Sequence, residues 1–222
     1  MRFLVTAGPT REPIDPVRYI SNRSSGKMGY AIAEAALEAG HEVILISGPV
    51  HLEPPRLAKF VSVSTSDEMF DAVHRHANDS NVCVLCAAVA DYKPVEVSPV
   101  KIKKRAGGMS LKLIPTHDTL ESLGRRRSRK FLLVGFAAET NDVEENAAEK
   151  LRAKNCDIIV ANDVRVGMES DENEVVILFR DAAVRKISRA PKKILACELV
   201  KIFSKFATKV FDKKNETITE RN

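Results

Sequence analysis

The sequence predicts an α/β fold: a mostly parallel sheet with helices on both faces and a C-terminal antiparallel hairpin. Three observations predict it. Short apolar runs alternate with segments of helical period from Arg2 onward, the pattern of successive βαβ units. The run Val82 to Ala87 (VCVLCA) shows no polar alternation, as expected of a strand buried on both faces. The 222 residues suffice for one substantial core, and open sheets of this size usually form a single domain.

Arg2 to Ala7 is an apolar run stopped by Gly8-Pro9, hence a first strand. Thr10 to Ser25 is polar and reads as a long loop. Gly26 to Ala39 carries helical spacing at Met28, Ile32, Ala35, Ala36 and Ala39, with Gly40 as its C-cap. Glu42 to Ser47 is the second strand; a right-handed crossover makes it a parallel neighbour of the first. Lys59 to Val63 is a strand, and Asp67 to Ala77 a helix capped by Ser66 or Asp67. Phe131 to Phe136 is a buried strand, Asn141 to Lys154 a helix and Asp157 to Val160 a strand. Glu174 to Phe179 and Ala183 to Ile187 alternate around Arg180-Asp181, which predicts a hairpin. Pro191 takes the favoured first position of a last helix. Residues beyond Phe211 are expected to fray, giving one domain over 1–211 and a basic tail over 212–222. The whole is a Rossmann-like three-layer arrangement, which binds ligands at the carboxyl ends of its strands.

Composition narrows the function. Net charge is +5, aromatics are 5% and there is no Trp; a base-stacking nucleic-acid surface needs interleaved aromatics. The basic excess suits anionic small substrates, and the run Arg125-Arg126-Arg127 reads as a solvated loop. Cys83 and Cys86 lie three apart in one apolar strand, so they point to opposite faces and suit neither zinc nor redox pairing. Buried reduced thiols, a strand directly after Met1-Arg2 and no apolar run near the roughly 18 residues of a membrane helix lead to an expectation of a cytoplasmic protein free of membrane.

Four segments carry chemistry. The first is TAGPTREPIDPVRYISNRSSGKMG, with Arg11, Arg18, Asn22, Arg23, Ser24, Ser25 and Lys27 ahead of a helix N-terminus. It is neither a Walker A loop nor G-x-G-x-x-G, but hydroxyls, glycine amides and a helix start suit a phosphate or carboxylate. The second, AAVADYKP, puts small residues at a strand end, where main-chain amides and carbonyls could read a base. Asp91 there could meet a ribose or a magnesium-bound phosphate, or merely cap a turn. The third, KIKK, places Lys101 and Lys103 on one face if extended; with the Gly-rich residues after it, this segment has little to bury and is expected to move as a lid. The fourth runs from Gly135 to Lys154, with Phe136 ending a strand and Lys150 and Lys154 one helical turn apart. A solvated ion-pair face is the plainer reading of those two lysines. Asn162 lies near the same strand ends.

In this order, and together with IIVANDV and the SDENEVVIL hairpin, these motifs resemble the bacterial phosphopantothenate–cysteine ligases, also called phosphopantothenoylcysteine synthetases. The resemblance covers nearly the whole chain. It implies ligation of 4′-phosphopantothenate to L-cysteine with CTP and Mg2+, through an acyl-cytidylate that releases pyrophosphate and then CMP. By resemblance Asn22 holds the intermediate, and Arg18 belongs to a phosphopantothenate loop that crosses a homodimer interface. Lys101 meets the triphosphate and supports the second half-reaction, which makes it catalytic together with Asn22. Leu85, Cys86, Ala87, Ala88, Asp91, Phe136, Lys150 and Lys154 contact CTP. The family's T-P-D-I-L-like stretch reads THDTL here, so His117, Asp118, Thr119 and Leu120 take its place with His117 for proline. Many bacterial relatives carry a fused flavin-dependent decarboxylase; this chain begins at the ligase strand and is expected to work as a separate ligase or an excised domain, with a decarboxylase as a possible separate partner. An NAD(P) oxidoreductase lacks support, because Tyr19, Tyr30 and Tyr92 have no Lys four residues on. The same ligase using ATP stays open, since main-chain base recognition leaves little mark on side chains.

Overall fold

The computed structural model describes residues 1–104, 106–127, 129–163 and 171–219, with side chains except those of 163 and 209–219. Arg105 of the basic run, Val164 and Ser170 of the quoted motifs and residues 220–222 of the tail lie outside the described residues.

In chain order the strands are β1 (Arg2–Ala7), β2 (Arg11–Asp15), β3 (Arg18–Ser21), β4 (Glu42–Ser47), β5 (Lys59–Ser62), β6 (Val82–Leu85), β7 (Tyr92–Pro94), β8 (Leu113–Pro115), β9 (Leu132–Glu139), β10 (Ile158–Asp163), β11 (Glu172–Phe179) and β12 (Val184–Pro191). The helices are α1 (Lys27–Glu38), α2 (Ser66–Ala77), α3 (Thr119–Gly124), α4 (Val143–Ala153) and α5 (Lys192–Thr219). Eight strands form one sheet in the order β12-β11-β10-β9-β6-β1-β4-β5. β10, β9, β6, β1, β4 and β5 are parallel, and β11 and β12 add the antiparallel edge.

Alternation along each strand sorts the core into two layers. Phe3, Val5, Val82, Val84 and Val134 face α1 and α5, while Leu4, Cys83, Leu133 and Ile159 face α2, α3 and α4. Each such fully buried aliphatic contributes ~2 kcal/mol. Cys83 and Cys86 pack on opposite layers as expected, and both are free thiols. The chain leaves β1 for β4 and β5 on one side and later returns to β6, β9 and β10 on the other. The topological switch therefore falls between β1 and β6, where such sheets open a ligand crevice.

Several expectations need correction. Thr10 to Ser25 is not a plain loop: β2 and β3 pair antiparallel, Arg11 opposite Ser21. Its inward positions are polar, with Thr10, Glu12 and Asp15 buried, so no apolar alternation marks it. A second hairpin, β7–β8, was likewise unmarked. The KIKK segment is not a strand; Val100 to Lys104 has no regular structure, and Lys101, Lys103 and Lys104 are exposed. The cap of α2 is Thr65, not Ser66 or Asp67: Glu68 donates its amide to Thr65 Oγ1 at 3.3 Å and accepts the Thr65 amide on Oε2 at 3.3 Å, a capping box. The helix expected from Asn141 begins at Val143, because Asp142 sits at φ 45° in the left-handed region. Pro191 ends β12 opposite Glu172 rather than opening α5. Apart from these corrections, the α5 backbone runs to Thr219.

Candidate active site

At the carboxyl ends of β1 and β6 lies a cleft of ≈ 630 Å³, within the range of small-molecule sites. Its wall includes thirteen of the residues singled out from the sequence: Asn22, Leu85, Cys86, Ala87, Ala88, Asp91, His117, Asp118, Thr119, Leu120, Phe136, Lys150 and Lys154. Arg18 and Lys101 do not line it. The helix α1 can approach this end of β1 because position 29 is glycine; a Cβ there would stand 2.6 Å from Ala7 Cβ.

The strand-end main chain is more occupied than the sequence reading supposed. Thr6 Oγ1 accepts the amides of Cys86 (3.0 Å) and Ala87 (3.1 Å), and Gly8 O accepts that of Ala88 (2.9 Å). Those three amides are therefore spent inside the protein. Carbonyl oxygens and shape are what these three positions still present to the cleft. Burial pushes the Cys86 thiol up to about 12, so it contributes shape and not a nucleophile.

The remaining wall is built from short polar contacts. Asn22 Nδ2 donates to Val89 O at 2.9 Å, tying the first loop to the AAVAD segment. Lys150 Nζ donates to Phe136 O at 2.9 Å. Lys154 Nζ lies 2.8 Å from Asp118 and 2.9 Å from Glu121, so it is ion-paired, but with α3 and its cap at the cleft wall and not on a solvated face of its own helix. Burial alone would raise the Asp118 carboxyl, but hydrogen bonds from the Glu121 amide and Lys154 outweigh it and hold it below its ordinary value. Those two acceptors raise Lys154 in turn. His117 rests against Phe70, ring centroids 5.0 Å apart. Thr119 is 8% exposed and its Oγ1 has no hydrogen-bond partner among the described residues. A buried hydroxyl without a partner costs about 1–3 kcal/mol; Thr119 is part of the cleft wall, with this oxygen turned away from the open space.

Among the described residues no group of three or more His, Cys, Asp or Glu could hold a metal ion. Asp118 is engaged as above, whereas Asp91 is exposed at the cleft wall. That donor set fits a Mg2+ ion carried by phosphates and met by one carboxylate, not an ion caged by protein.

A side pocket of ≈ 150 Å³ shares Cys86, Ala88, Phe136 and Ala138 with the cleft. Ser24, Ser25 and Lys27 of the first motif line it beside Asn162, Asn173 and Lys192. Gly26 precedes α1 at φ 75°, a conformation that costs glycine little and that opens the helix start to the pocket. Lys27 Nζ lies 2.6 Å from Asp171. Lys192 is buried, and burial first and the Lys27 charge second lower its pKa. Lys192, Asn173 and Thr6 were missed from the sequence. A lysine in the first turn of a helix opposes the helix dipole, so Lys192 carried a usable signal; Thr6 and Asn173 carried none.

Among the described residues no helix is long and apolar enough to cross a membrane. The family model described as the DNA/pantothenate metabolism flavoprotein C-terminal domain matches residues 1–206. The coenzyme A biosynthesis bifunctional protein CoaBC of Bacillus subtilis (strain 168) is 48% identical over 201 residues, covering 89% of this chain and 49% of that protein. The protein of the same name from Escherichia coli (strain K12) is 46% identical over 187 residues, 82% of this chain and 46% of that protein. The chain thus spans about half the length of these relatives. The crystal structure of the C-terminal domain of a coenzyme A biosynthesis bifunctional protein CoaBC superposes with a TM-score of 0.80 at 43% identity, covering 95% of this chain and 96% of that one. The DNA/pantothenate metabolism flavoprotein from Streptococcus pneumoniae shares the fold at a TM-score of 0.80 and 23% identity, covering 93% and 99%. With its Rossmann-like sheet, its cleft at the switch point and a match running through residue 206, the chain belongs to the DNA/pantothenate metabolism flavoprotein C-terminal domain family.

Proposed function

We propose that this protein is a phosphopantothenate–cysteine ligase of coenzyme A biosynthesis that uses CTP. The observation that carries the reading is the cleft itself. Thirteen residues chosen from motifs scattered between Asn22 and Lys154 converge on it. The relatives named for coenzyme A biosynthesis support the pathway.

The chemistry fits the residue types. The substrate carboxylate attacks the α-phosphorus of CTP; a C(O)–O–P bond forms, the bond to the β-phosphate breaks, and pyrophosphate leaves. The cysteine amine then attacks the acyl carbon and loses a proton, an amide forms, and CMP departs with the electron pair. Both steps bring anions together, so cations and fixed dipoles must face the developing charge, and positioning supplies much of the rest. Lys150, on the cleft wall, brings positive charge to the nucleotide, and Lys101, outside that wall in the free protein, would join it once the substrates are bound. Asn22, anchored on Val89, keeps its amide beside the intermediate. Bound Mg2+ would neutralise phosphate oxygens, with Asp91 the carboxylate available to it. The side pocket, with Lys27, Lys192 and two serines, suits a second anionic group.

We extend the reading to a homodimer. Val17 and Tyr19 at the β2–β3 hairpin, and Val95, Val97 and Val100 beside it, are exposed, a concentration of apolar surface that suits a partner face. Arg18 sits between Val17 and Tyr19, which fits the idea that this loop serves a site across the interface. The reaction belongs to the cytoplasm, where a phosphopantothenoylcysteine decarboxylase would take the product.

The test is pyrophosphate release with 4′-phosphopantothenate and Mg2+, CTP against ATP, with and without cysteine. Release dependent on CTP and phosphopantothenate, with ligated product only when cysteine is present, is the expected result. Equal or faster turnover with ATP would overturn the nucleotide assignment. No release with either nucleotide from folded protein would overturn the ligase reading.

A further inference from the structure

Asp15 closes the β2–β3 turn, and the same carboxylate reaches a segment far along the chain. Its side chain is wholly shielded from solvent. Oδ1 accepts the amides of Val17 (2.9 Å) and Arg18 (3.0 Å), which is all that the turn requires. Oδ2 does something else. It accepts from the Arg18 guanidinium through Nε (3.0 Å) and through Nη2, and it accepts the amide of Ile102 at 3.1 Å. Arg18 Nη2 then donates to the Ile102 carbonyl at 2.9 Å. Ile102 is thereby gripped on both its main-chain groups. The Ser98 amide adds a bond to Ile14 O at 3.0 Å, so the approach to this stretch is tied to β2 as well.

The grip stands out because its surroundings give the segment so little. Val100 to Lys104 has no helix or strand, and the three lysines around Ile102 are exposed. Among the described residues, the other hydrogen bonding that orders this stretch is local, between Ser98 Oγ and Val100, with the donation to Val100 O at 2.7 Å. Charge-assisted bonds to a shielded carboxylate are about twice as strong as neutral ones, and Arg18 balances the buried charge that would otherwise make such a carboxylate costly.

We infer that Asp15 is a positioning residue for the ligation reaction, fixing the main chain at Ile102 so that Lys101 projects from a set place. Arg18 closes the same ring through Nε and Nη2 and leaves Nη1 as the edge that neither Asp15 nor Ile102 engages. An anion taken up on that edge would stiffen the ring that also holds the lysine segment. Substrate binding at Arg18 and placement of Lys101 are then one mechanical event. The inference rests on the reading of Lys101 as a nucleotide-facing catalytic group.

The test uses the full chain, with Asp15→Asn, Ile102→Pro, Lys101→Gln and the double variant of Asp15→Asn with Lys101→Gln. Ile102→Pro removes the amide donor without touching Asp15, so a folding failure of Asp15→Asn does not end the test. Two readouts are taken: ligation with CTP, Mg2+, phosphopantothenate and cysteine, and the rate of tryptic cleavage after Lys103 or Lys104. Misplacing a reacting group costs about tenfold to a hundredfold, so kcat in each clasp variant is expected to fall by at least about tenfold, with KM for CTP changed by less than about threefold. The double variant is expected to be no slower than Lys101→Gln alone, because Asp15 acts through that lysine. Tryptic cleavage is expected to be at least about fivefold faster in both clasp variants, since a segment cut from its anchor opens more often. Wild-type kcat in the clasp variants, or a double-variant loss equal to the product of the single losses, would overturn the positioning role. An unchanged cleavage rate would overturn the clasp itself. A wild-type rate in Lys101→Gln would instead overturn the catalytic reading of Lys101, and the cleavage rates would still decide the clasp.

Discussion

Thr6 Oγ1 lies 3.0 Å from the amide nitrogen of Cys86 and accepts its proton, and it accepts the neighbouring amide of Ala87 as well. One hydroxyl on β1 thus shapes the end of β6 across the switch point. Thr6→Val keeps the volume and removes the acceptor, leaving two donors near the cleft floor. Orphaned amides cost about 1–3 kcal/mol. Urea denaturation should show a loss of about 2 kcal/mol, and KM for CTP should rise together with it.

Thr119 behaves in the opposite way in the free protein. Its Oγ1 is buried without a partner among the described residues, so Thr119→Val removes an unmet polar group at constant shape. The ligand-free melting temperature should hold or rise, while CTP affinity should stay within about threefold, because the oxygen is shielded from the cleft. Thermal melts with and without CTP check both halves. A lower ligand-free melting point would show that the hydroxyl is not an unmet polar group.

Asn22 and Lys101 separate the two half-reactions. Asn22→Asp would lose the donor to Val89 O and set a negative charge beside an anionic intermediate. It should still release pyrophosphate but accumulate little acyl-cytidylate, with ligation down by about a hundredfold. Lys101→Gln should stall ligation more than nucleotide turnover. Quenched-flow detection of pyrophosphate and intermediate distinguishes them from wild type.

The Asp118–Lys154 pair gives a pH signature. Asp118 is held below its ordinary value in the fold, so its contribution is complete above the unfolded value and is lost as pH falls through the lower folded one. Lys154 is raised, so its share is complete below its unfolded value and is lost only as pH climbs through the raised one. The melting difference between wild type and Lys154→Met should therefore be flat from about pH 5 to 9 and shrink below about pH 4. Both side chains are partly exposed, so the plateau should be modest, ~0.5–1 kcal/mol.

The sequence by itself determined the layers and most of the sheet, and it named thirteen residues that meet at one cleft. Apolar runs such as Val82 to Leu85 and the helical spacing from Met28 to Ala36 carry their burial in their composition, and so they were legible. The long first motif named Asn22, and the strand-end, THDTL and Phe136 to Lys154 segments named twelve more of the lining residues, while Thr6, Met69 and Val73 went unnamed. What was not legible had polar residues turned inward. Glu12 is buried against the Ser66 amide at 2.8 Å and Asp15 against Ile102, so β2 gave no apolar alternation and read as loop.

Only the tertiary structure decided which groups are already spent. Thr6 takes the strand-end amides, Phe136 O takes Lys150, and Asp118 and Glu121 take Lys154. Hydrogen bonds join residues tens of positions apart, and spacing along the chain does not record them. The same holds for Lys192 and Lys27, drawn to one side pocket from opposite ends of the sequence, and for Ile102, held by a carboxylate 87 residues before it. Burial pattern is local and is written in residue types; the pairing of polar groups is long-range and is settled when the sheet closes.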